Sequence, residues 1–442
     1  MFSDFQKHIT NKLSFLKDKK LLIAISGGLD SIVLSHLFYK IKYDISFAHC
    51  NFHLRGIESD LDEEFVIKKA EEYNKKYFIT HFNTIYYAKK NSQSIQMAAR
   101  ELRYNWFYEL LENHGFDYLL TAHHADDNLE TFLINLTRGT GLEGLTGIPE
   151  IKNKTIRPLL HFTKIEIENY ARQSNLTWRE DHSNDDTKYL RNKIRHELIP
   201  ILNDINPSFM ESFAHTLNYL KGSDQIVKDR ITNVQQQTRI QEDSLIKFDI
   251  EKLKELNDPQ SYLFELLKNY GFTEWNDVFS LLDSQSGKQV YSKTHRLIKD
   301  RDHLLLIKKD DGSSEEIQIL PSSTQVKIGN FNLLIENCNI PVDQISLAKR
   351  SRGIIYIDKD LLSFPLHVRK WQKGDYFYPF GMKGKKKLSK YFKDEKLSLY
   401  EKENIWLLCS ENKIVWILNH RLDERFKITE RTENILKLEI KH

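Results

Sequence analysis

The chain has 442 residues, 40% hydrophobic and 29% charged, with a formal net charge of +3, the profile of a water-soluble globular protein with room for two or three cores. No run of about 18 apolar residues is present and Met1-Phe2-Ser3-Asp4 does not begin a secretion signal, so no membrane partner is expected and the cytoplasm is the default location. Three widely separated cysteines, Cys50, Cys338 and Cys409, argue against structural disulfides, a cysteine zinc site and an iron–sulfur cluster.

In chain order, residues 21–25 form a short apolar run suited to a strand buried on both faces of a parallel sheet. The run stops at Ser26. Gly27 and Gly28 allow a tight turn and a close approach of backbone to ligand, and from Ile32 the apolar residues Val33, Leu34, Leu37 and Phe38 recur with a helical period. The loop Ser26-Gly27-Gly28-Leu29-Asp30-Ser31 therefore joins a strand to a helix N-terminus, whose unpaired N–H groups and dipole favour a phosphate. It lacks the third glycine of the dinucleotide fingerprint and the Gly-Lys-Ser/Thr of a Walker loop. Asp30 at the helix start suits a cap.

Alternating segments follow: a strand at 45–52, a helix at 62–77, a strand at 77–83, a long helix from 94 to its stop at Gly115, and a strand at 117–124. This pattern predicts a parallel sheet with helices on both faces and ligands at the strands' carboxyl ends. The stretch HHADDNLETFLINLTRGTG opens with His123 and His124, of which His123 is expected to take a single polar role, and continues into a helix. Leu129, Phe132, Leu133 and Leu136 form its buried face, while Asp127 and Glu130, three apart, point the same way. From 209 a long amphipathic helix reads as a connector, 244–308 mixes helix with a hairpin, DDGSSEE at 310–316 reads as a linker, and the remainder is mainly β. From Leu366 onward 18 Lys and Arg face 11 Asp and Glu, a surplus of seven that leaves the preceding chain at −4. The surplus is densest in KGKKKLSKYFK, where Tyr391 and Phe392 stand among lysines as on many nucleic-acid-binding surfaces.

The loop at 26–31 resembles the SGGxDS loop of the PP-loop ATP pyrophosphatase superfamily, which cleaves ATP between the α- and β-phosphates. With HHADDNLETFLINLTRGTG, RPLL, EDHSNDDTKYLRNKIRHELIP and RKWQKGDYFYPFGMKGKKKLSKYFKDEKL in this order, the chain is similar to the bacterial tRNA(Ile)-lysidine synthetase family. The resemblance implies an α/β fold: a parallel-sheet PP-loop (adenine nucleotide α-hydrolase-like) catalytic domain at 1–205, a helical connector at 206–240, and smaller α+β domains. These are a middle domain for tRNA recognition at 241–310 and a basic, mainly β tRNA-binding domain at 320–442. It also implies that ATP adenylates the wobble cytidine of the isoleucine tRNA with a CAU anticodon, and that L-lysine then attacks carbon 2 through its ε-amine and expels AMP. Reading would change from AUG to AUA and identity from Met to Ile.

By the same resemblance Ser26, Gly27, Gly28, Leu29, Asp30 and Ser31 hold the phosphates, with Asp30 on Mg2+. Arg100 and Arg103 lie near ATP, and Asp127 and Glu130 take the lysine ammonium. Arg191 and Arg195 contact phosphate or the activated base, His123 or a pocket acid deprotonates lysine, and Lys385, Lys386 and Lys387 bind tRNA; a homodimer is left open. Two rivals are a PP-loop tRNA thiolase, disfavoured by the cysteine spacing, and a non-catalytic RNA-binding protein, disfavoured by Asp30, Asp127 and Glu130.

Overall fold

The computed structural model describes every residue except 181–189, 243–244, 310–315, 339–352 and 442. The expected linker at 310–316 and the acidic half of EDHSNDDTKYLRNKIRHELIP thus fall almost wholly outside the described residues. The chain divides into two compact units, Met1–Asp229 and Arg230–His442.

The first unit runs α1 (Phe2–Lys12), β1 (Leu21–Ala24), α2 (Leu29–Lys40), β2 (Ile45–Asn51), α3 (Ile57–Glu72), β3 (Tyr77–His81), α4 (Thr84–Lys90), α5 (Ile95–His114), β4 (Tyr118–Leu120) and α6 (Ala125–Arg138). There follow α7 (Leu142–Leu145), β5 (Ile151–Lys152), β6 (Thr155–Ile156), α8 (Lys164–Gln173), α9 (Leu190–Lys193), a π-helical turn (Ile194–Leu198), α10 (Ile199–Ile205) and α11 (Phe209–Thr238). The sheet order is β3-β2-β1-β4-β6-β5, parallel except for the β5–β6 hairpin.

The unbroken apolar run of β1 has the expected cause, burial on both faces. Leu21 and Ile23 pack with Phe5 and Ile9 of α1, Leu34 and Phe38 of α2 and Ile167 of α8, whereas Leu22 packs with Phe107, Leu110 and Leu111 of α5. All three strand residues are fully buried, each worth about 1.5–3 kcal/mol of transfer free energy. Helix α5 stops where expected, because Gly115 takes a left-handed φ of 67° as its cap. The chain leaves β1 toward β2 and β3 and returns on the other side as β4. The carboxyl ends of β1 and β4 therefore flank the topological switch point, where an open α/β sheet opens its ligand crevice.

Helix α11 covers most of the stretch read as a connector, and the division between the units falls inside it. In the second unit a five-stranded sheet packs on helices Ile250–Lys254, Pro259–Leu267 and Trp275–Ser280 through Phe248, Leu253, Leu263 and Leu304. Two four-stranded sheets then bury Trp416 among Leu366, Val368, Leu333 and Leu438. Here one expectation is corrected: Tyr391 and Phe392 are not surface rings, since they are 3% and 0% exposed. They lie on the helix Leu388–Asp394, whose apolar positions 388, 391 and 392 share a face and bury against Phe377, Leu407 and Ile417.

Candidate active site

The loop after β1 is held by its own hydroxyls. The Ser26 N–H donates to Ser31 Oγ at 3.1 Å, the Gly28 N–H donates to Ser26 Oγ at 3.3 Å, and Ser31 Oγ donates to the Gly28 carbonyl at 2.9 Å. Gly27 is required by its φ of 89°, and an added Cβ would also meet Phe65 at 3.4 Å. Gly28, at φ −74°, takes an angle open to any residue, so only the first glycine is conformationally special. Gly28 is the cap of α2 and brings no side-chain acceptor, so no side chain caps the first turn, which carries Asp30.

Asp30 meets a residue that no sequence pattern pointed to. Lys164 Nζ lies 2.8 and 3.0 Å from the two Asp30 oxygens, and its backbone N–H donates to Asp126 Oδ2 at 2.7 Å. One residue thus ties the start of α8 to α6 by its backbone and to α2 by its ammonium. A usable signal did exist. Lys164 is the first residue of a helix capped by the Thr163–Glu166 box, a position where the dipole disfavours a cation unless an acid faces it.

Of the two adjacent histidines, His124 faces the acids. Its ring nitrogens lie 3.4 Å from Asp126, 3.5 Å from Asp127 and 3.8 Å from Asp30. Burial works against its charged form, but the close carboxylates of Asp126, Asp127 and Asp30 outweigh it and raise the pKa. His123 instead shares a hydrogen bond with Thr121 Oγ1 at 3.0 Å, and burial pulls its pKa down to about 4, leaving a neutral imidazole at pH 7. The His124 pairs stabilise fully below its unfolded value of 6.5, and that contribution is lost as pH rises through the raised value. Wild type should therefore exceed His124→Gln in urea midpoint most below about pH 6.5, with the gap narrowing as pH rises beyond it. A gap independent of pH would contradict this assignment.

Asp127 and Glu130 do share a face of α6, and both are already paired. Arg191 donates from Nε to Glu130 at 2.5 Å and from a terminal nitrogen to Asp127 at 2.9 Å, while Arg195 Nε donates to Glu130 at 2.6 Å. The two arginines, four apart on α9 and the π turn, thus clamp the carboxylate pair. Glu130 is fully buried and Asp127 keeps 15% of its side chain exposed, so the acids expected to act alike differ in access. Burial would raise the Asp127 pKa, but the charges of His124 and Arg191 outweigh it and hold it below the usual carboxylate value.

Arg100 and Arg103 stand on α5, their guanidinium carbons 4.9 Å from the Tyr104 ring centroid and 5.1 Å from that of Phe52. Neither bonds to the loop at Ser26 among the described residues. Arg179, unnoticed in the sequence, supports that loop: its N–H donates to the Gly27 carbonyl at 3.0 Å and its Nε to Asp62 at 2.5 Å. Burial pushes the Cys50 thiol up to about 12 and Cys409 to about 11, so neither is a thiolate at pH 7. In the second unit Lys386 pairs with Asp394 at 2.8 Å, Lys385 lies 5.3 Å from the Tyr376 ring centroid, and Lys385 and Lys387 are exposed.

Known proteins match this arrangement along its length. Residues 1–202 match the PP-loop domain, 241–309 the TilS substrate binding domain and 366–440 the TilS substrate C-terminal domain. The chain is 39% identical over 426 residues to the tRNA(Ile)-lysidine synthase of Parabacteroides distasonis, covering 95% of each chain. It is 40% identical over 434 residues to the same-named protein of Bacteroides thetaiotaomicron, covering 97% of each, and 35% identical to that of Porphyromonas gingivalis, covering 94% of this chain and 93% of that one. Identity of this order, held from end to end across three successive domains, shows that the chain belongs to the tRNA(Ile)-lysidine synthase family.

Proposed function

We propose that the chain uses ATP to adenylate the wobble cytidine of the CAU-anticodon isoleucine tRNA and joins the ε-amine of L-lysine to carbon 2, forming lysidine and releasing AMP and pyrophosphate. The observation that carries this reading is the meeting, at the switch point between β1 and β4, of a phosphate-type loop bearing Asp30 with an acid pair clamped by two arginines. The first-turn amides of α2 hold the pyrophosphate end of ATP. The donors beside it, Asp30, Asp126 and Asp127, offer the hard oxygens that magnesium prefers, and Asp30 is the residue that would hold the ion, which when bound neutralises phosphate charge. Lys164 already holds a positive charge at that carboxylate.

Arg191 and Arg195, oriented by Glu130 and Asp127, supply the cationic side chains for the negative charge that grows on the leaving adenylate. Asp127, the accessible acid, takes the lysine ammonium, and His123 or a pocket acid accepts its proton. A thiolase reading would need a reactive thiolate, against which the raised thiols of Cys50 and Cys409 speak. The direct test is incubation with ATP, magnesium, radiolabelled lysine and transcript tRNA. Label should enter only the CAU-anticodon isoleucine tRNA, with AMP and pyrophosphate formed in equal amounts; ATP cleavage without label in RNA would refute the reading.

The exposed lysines are proposed to meet tRNA phosphates. Replacing Lys385, Lys386 and Lys387 together by alanine should weaken tRNA binding and reduce its salt slope by up to about one unit for each phosphate no longer neutralised. Lys386 is expected to contribute least, since Asp394 already neutralises it. Filter binding at several salt concentrations measures this, and an unchanged constant and slope would show a merely solvated loop.

A further inference from the structure

Away from the crevice, three side chains from three separate segments converge on one point. His8 comes from α1, Glu150 immediately precedes β5, and His161 lies in the turn between β6 and α8. The Nε2 atoms of His8 and His161 lie 2.5 and 3.3 Å from the same oxygen, Glu150 Oε1. The two imidazole rings have their centroids 4.6 Å apart, and the donor atoms all fall within 4.8 Å of one another. Neither the adenylation chemistry nor tRNA binding uses this trio.

We propose that His8, Glu150 and His161 form a binding site for a divalent transition-metal ion, zinc being the ion best matched to two imidazoles and one carboxylate. Zinc with bonds of about 2.0–2.1 Å sets tetrahedral donors about 3.3 Å apart. The His161–Glu150 pair already has that spacing, His8 reaches it by drawing back from the carboxylate by less than 1 Å, roughly, and the three donors lie within 4.8 Å of one another before an ion draws them in. The carboxylate is an anionic ligand at any working pH. Burial would raise it, but the hydrogen bonds from His161 and His8 outweigh that and hold it at about 2. Its backbone is fixed as well, because the Glu150 carbonyl accepts the Arg157 N–H at 2.9 Å across the base of the β5–β6 hairpin. The half-exposed side of His161 leaves a fourth position for water.

Donor type separates this site from the crevice, where three carboxylates, Asp30, Asp126 and Asp127, face a single imidazole, His124: imidazole nitrogens favour zinc, cobalt and nickel, and carboxylates favour magnesium. An ion here would clip α1 to the turn that carries Phe162, whose carbonyl accepts the N–H of Ala125 at the start of α6, and then Lys164. It is thus placed to steady the side chain that meets Asp30.

The test uses the full chain stripped of metals and held in excess magnesium, so that the carboxylate crevice is occupied. Cobalt(II) is titrated while visible absorption is followed, and zinc is then added to displace it. One equivalent of cobalt should give a four-coordinate absorption band that zinc abolishes. His161→Ala and His8→Ala should each weaken cobalt binding by at least about a hundredfold, since even partners of ligands are worth ten- to a hundredfold. Zinc a hundredfold above its dissociation constant should raise the wild-type melting temperature by about 5–10 °C and leave His161→Ala unmoved. His161 is half-exposed, so its variant is expected to fold, and a circular dichroism spectrum matching wild type checks this. Absence of the band, a band unchanged in both histidine variants, or loss of the band in Asp30→Asn with both histidines intact would overturn the proposal.

Discussion

Asp30→Asn should slow ATP-dependent pyrophosphate release by about a thousandfold or more, roughly 4 kcal/mol of transition-state stabilisation, while tRNA binding stays within about twofold of wild type. The substitution keeps the shape and removes the charge. In the folded chain that charge has a specific partner, the Lys164 ammonium at 2.8 Å, so the variant also leaves Lys164 without its counter-ion at the mouth of the loop. Because Lys164 is 40% and Asp30 28% exposed, water takes over much of that pairing and the cost to folding should be small. Near-normal pyrophosphate release, or lost activity that merely follows lost structure by circular dichroism, would remove Asp30 from the chemistry.

Glu130→Gln should damage the whole crevice, and Asp127→Asn only one of its substrates. By sequence the two acids are equivalent ligands for lysine, so that Glu130→Gln would raise the lysine requirement far more than the ATP requirement. The structure separates them, since Glu130 is fully buried and binds both Arg191 and Arg195, whereas Asp127 reaches solvent. Breaking a buried pair from one side costs about 3–5 kcal/mol. The lower end applies here, because the arginines are 43% and 34% exposed and regain hydration. Glu130→Gln is therefore expected to lower the melting temperature and to worsen the apparent constants for ATP and lysine together. Asp127→Asn should raise the lysine KM by about tenfold or more with the ATP KM within about twofold. Steady-state kinetics with each substrate varied in turn would detect the split. A lysine-specific defect in Glu130→Gln would return the ammonium to the buried acid.

Much of this architecture was legible because local physics and fold agree. The apolar run at β1 reads as a strand covered on both faces and is one; the loop at 26–31 lies between strand and helix; Gly115 ends α5 by the left-handed turn that its lack of a side chain allows. What escaped depends on distance along the chain or on direction. Lys164 stands 134 residues from Asp30, and only the sheet order brings α2 and α8 together. Of two adjacent histidines, composition cannot say which turns inward. The start of α6 decides, with the His124 N–H donating to Asp127 at 3.1 Å. Tyr391 and Phe392 mislead for a different reason: the lysines around them mask a Leu388, Tyr391, Phe392 stripe that has ordinary helical spacing.

The counter-charges built into the crevice have a consequence for how its occupants arrive. Asp30, Asp126, Asp127 and Glu130 are matched by Lys164, Arg191, Arg195 and a His124 whose pKa is raised, so the cluster sends little net field into solution. Neither a nucleotide anion nor an amino-acid cation is drawn in from afar. On the proposed function each would be recognised at contact range, by exchanging one ion pair for another, and ionic strength should barely change how fast either is captured. Long-range attraction for a polyanion would then fall to the basic segment after Leu366, so that encounter with RNA and choice of small substrates would answer to different physical variables.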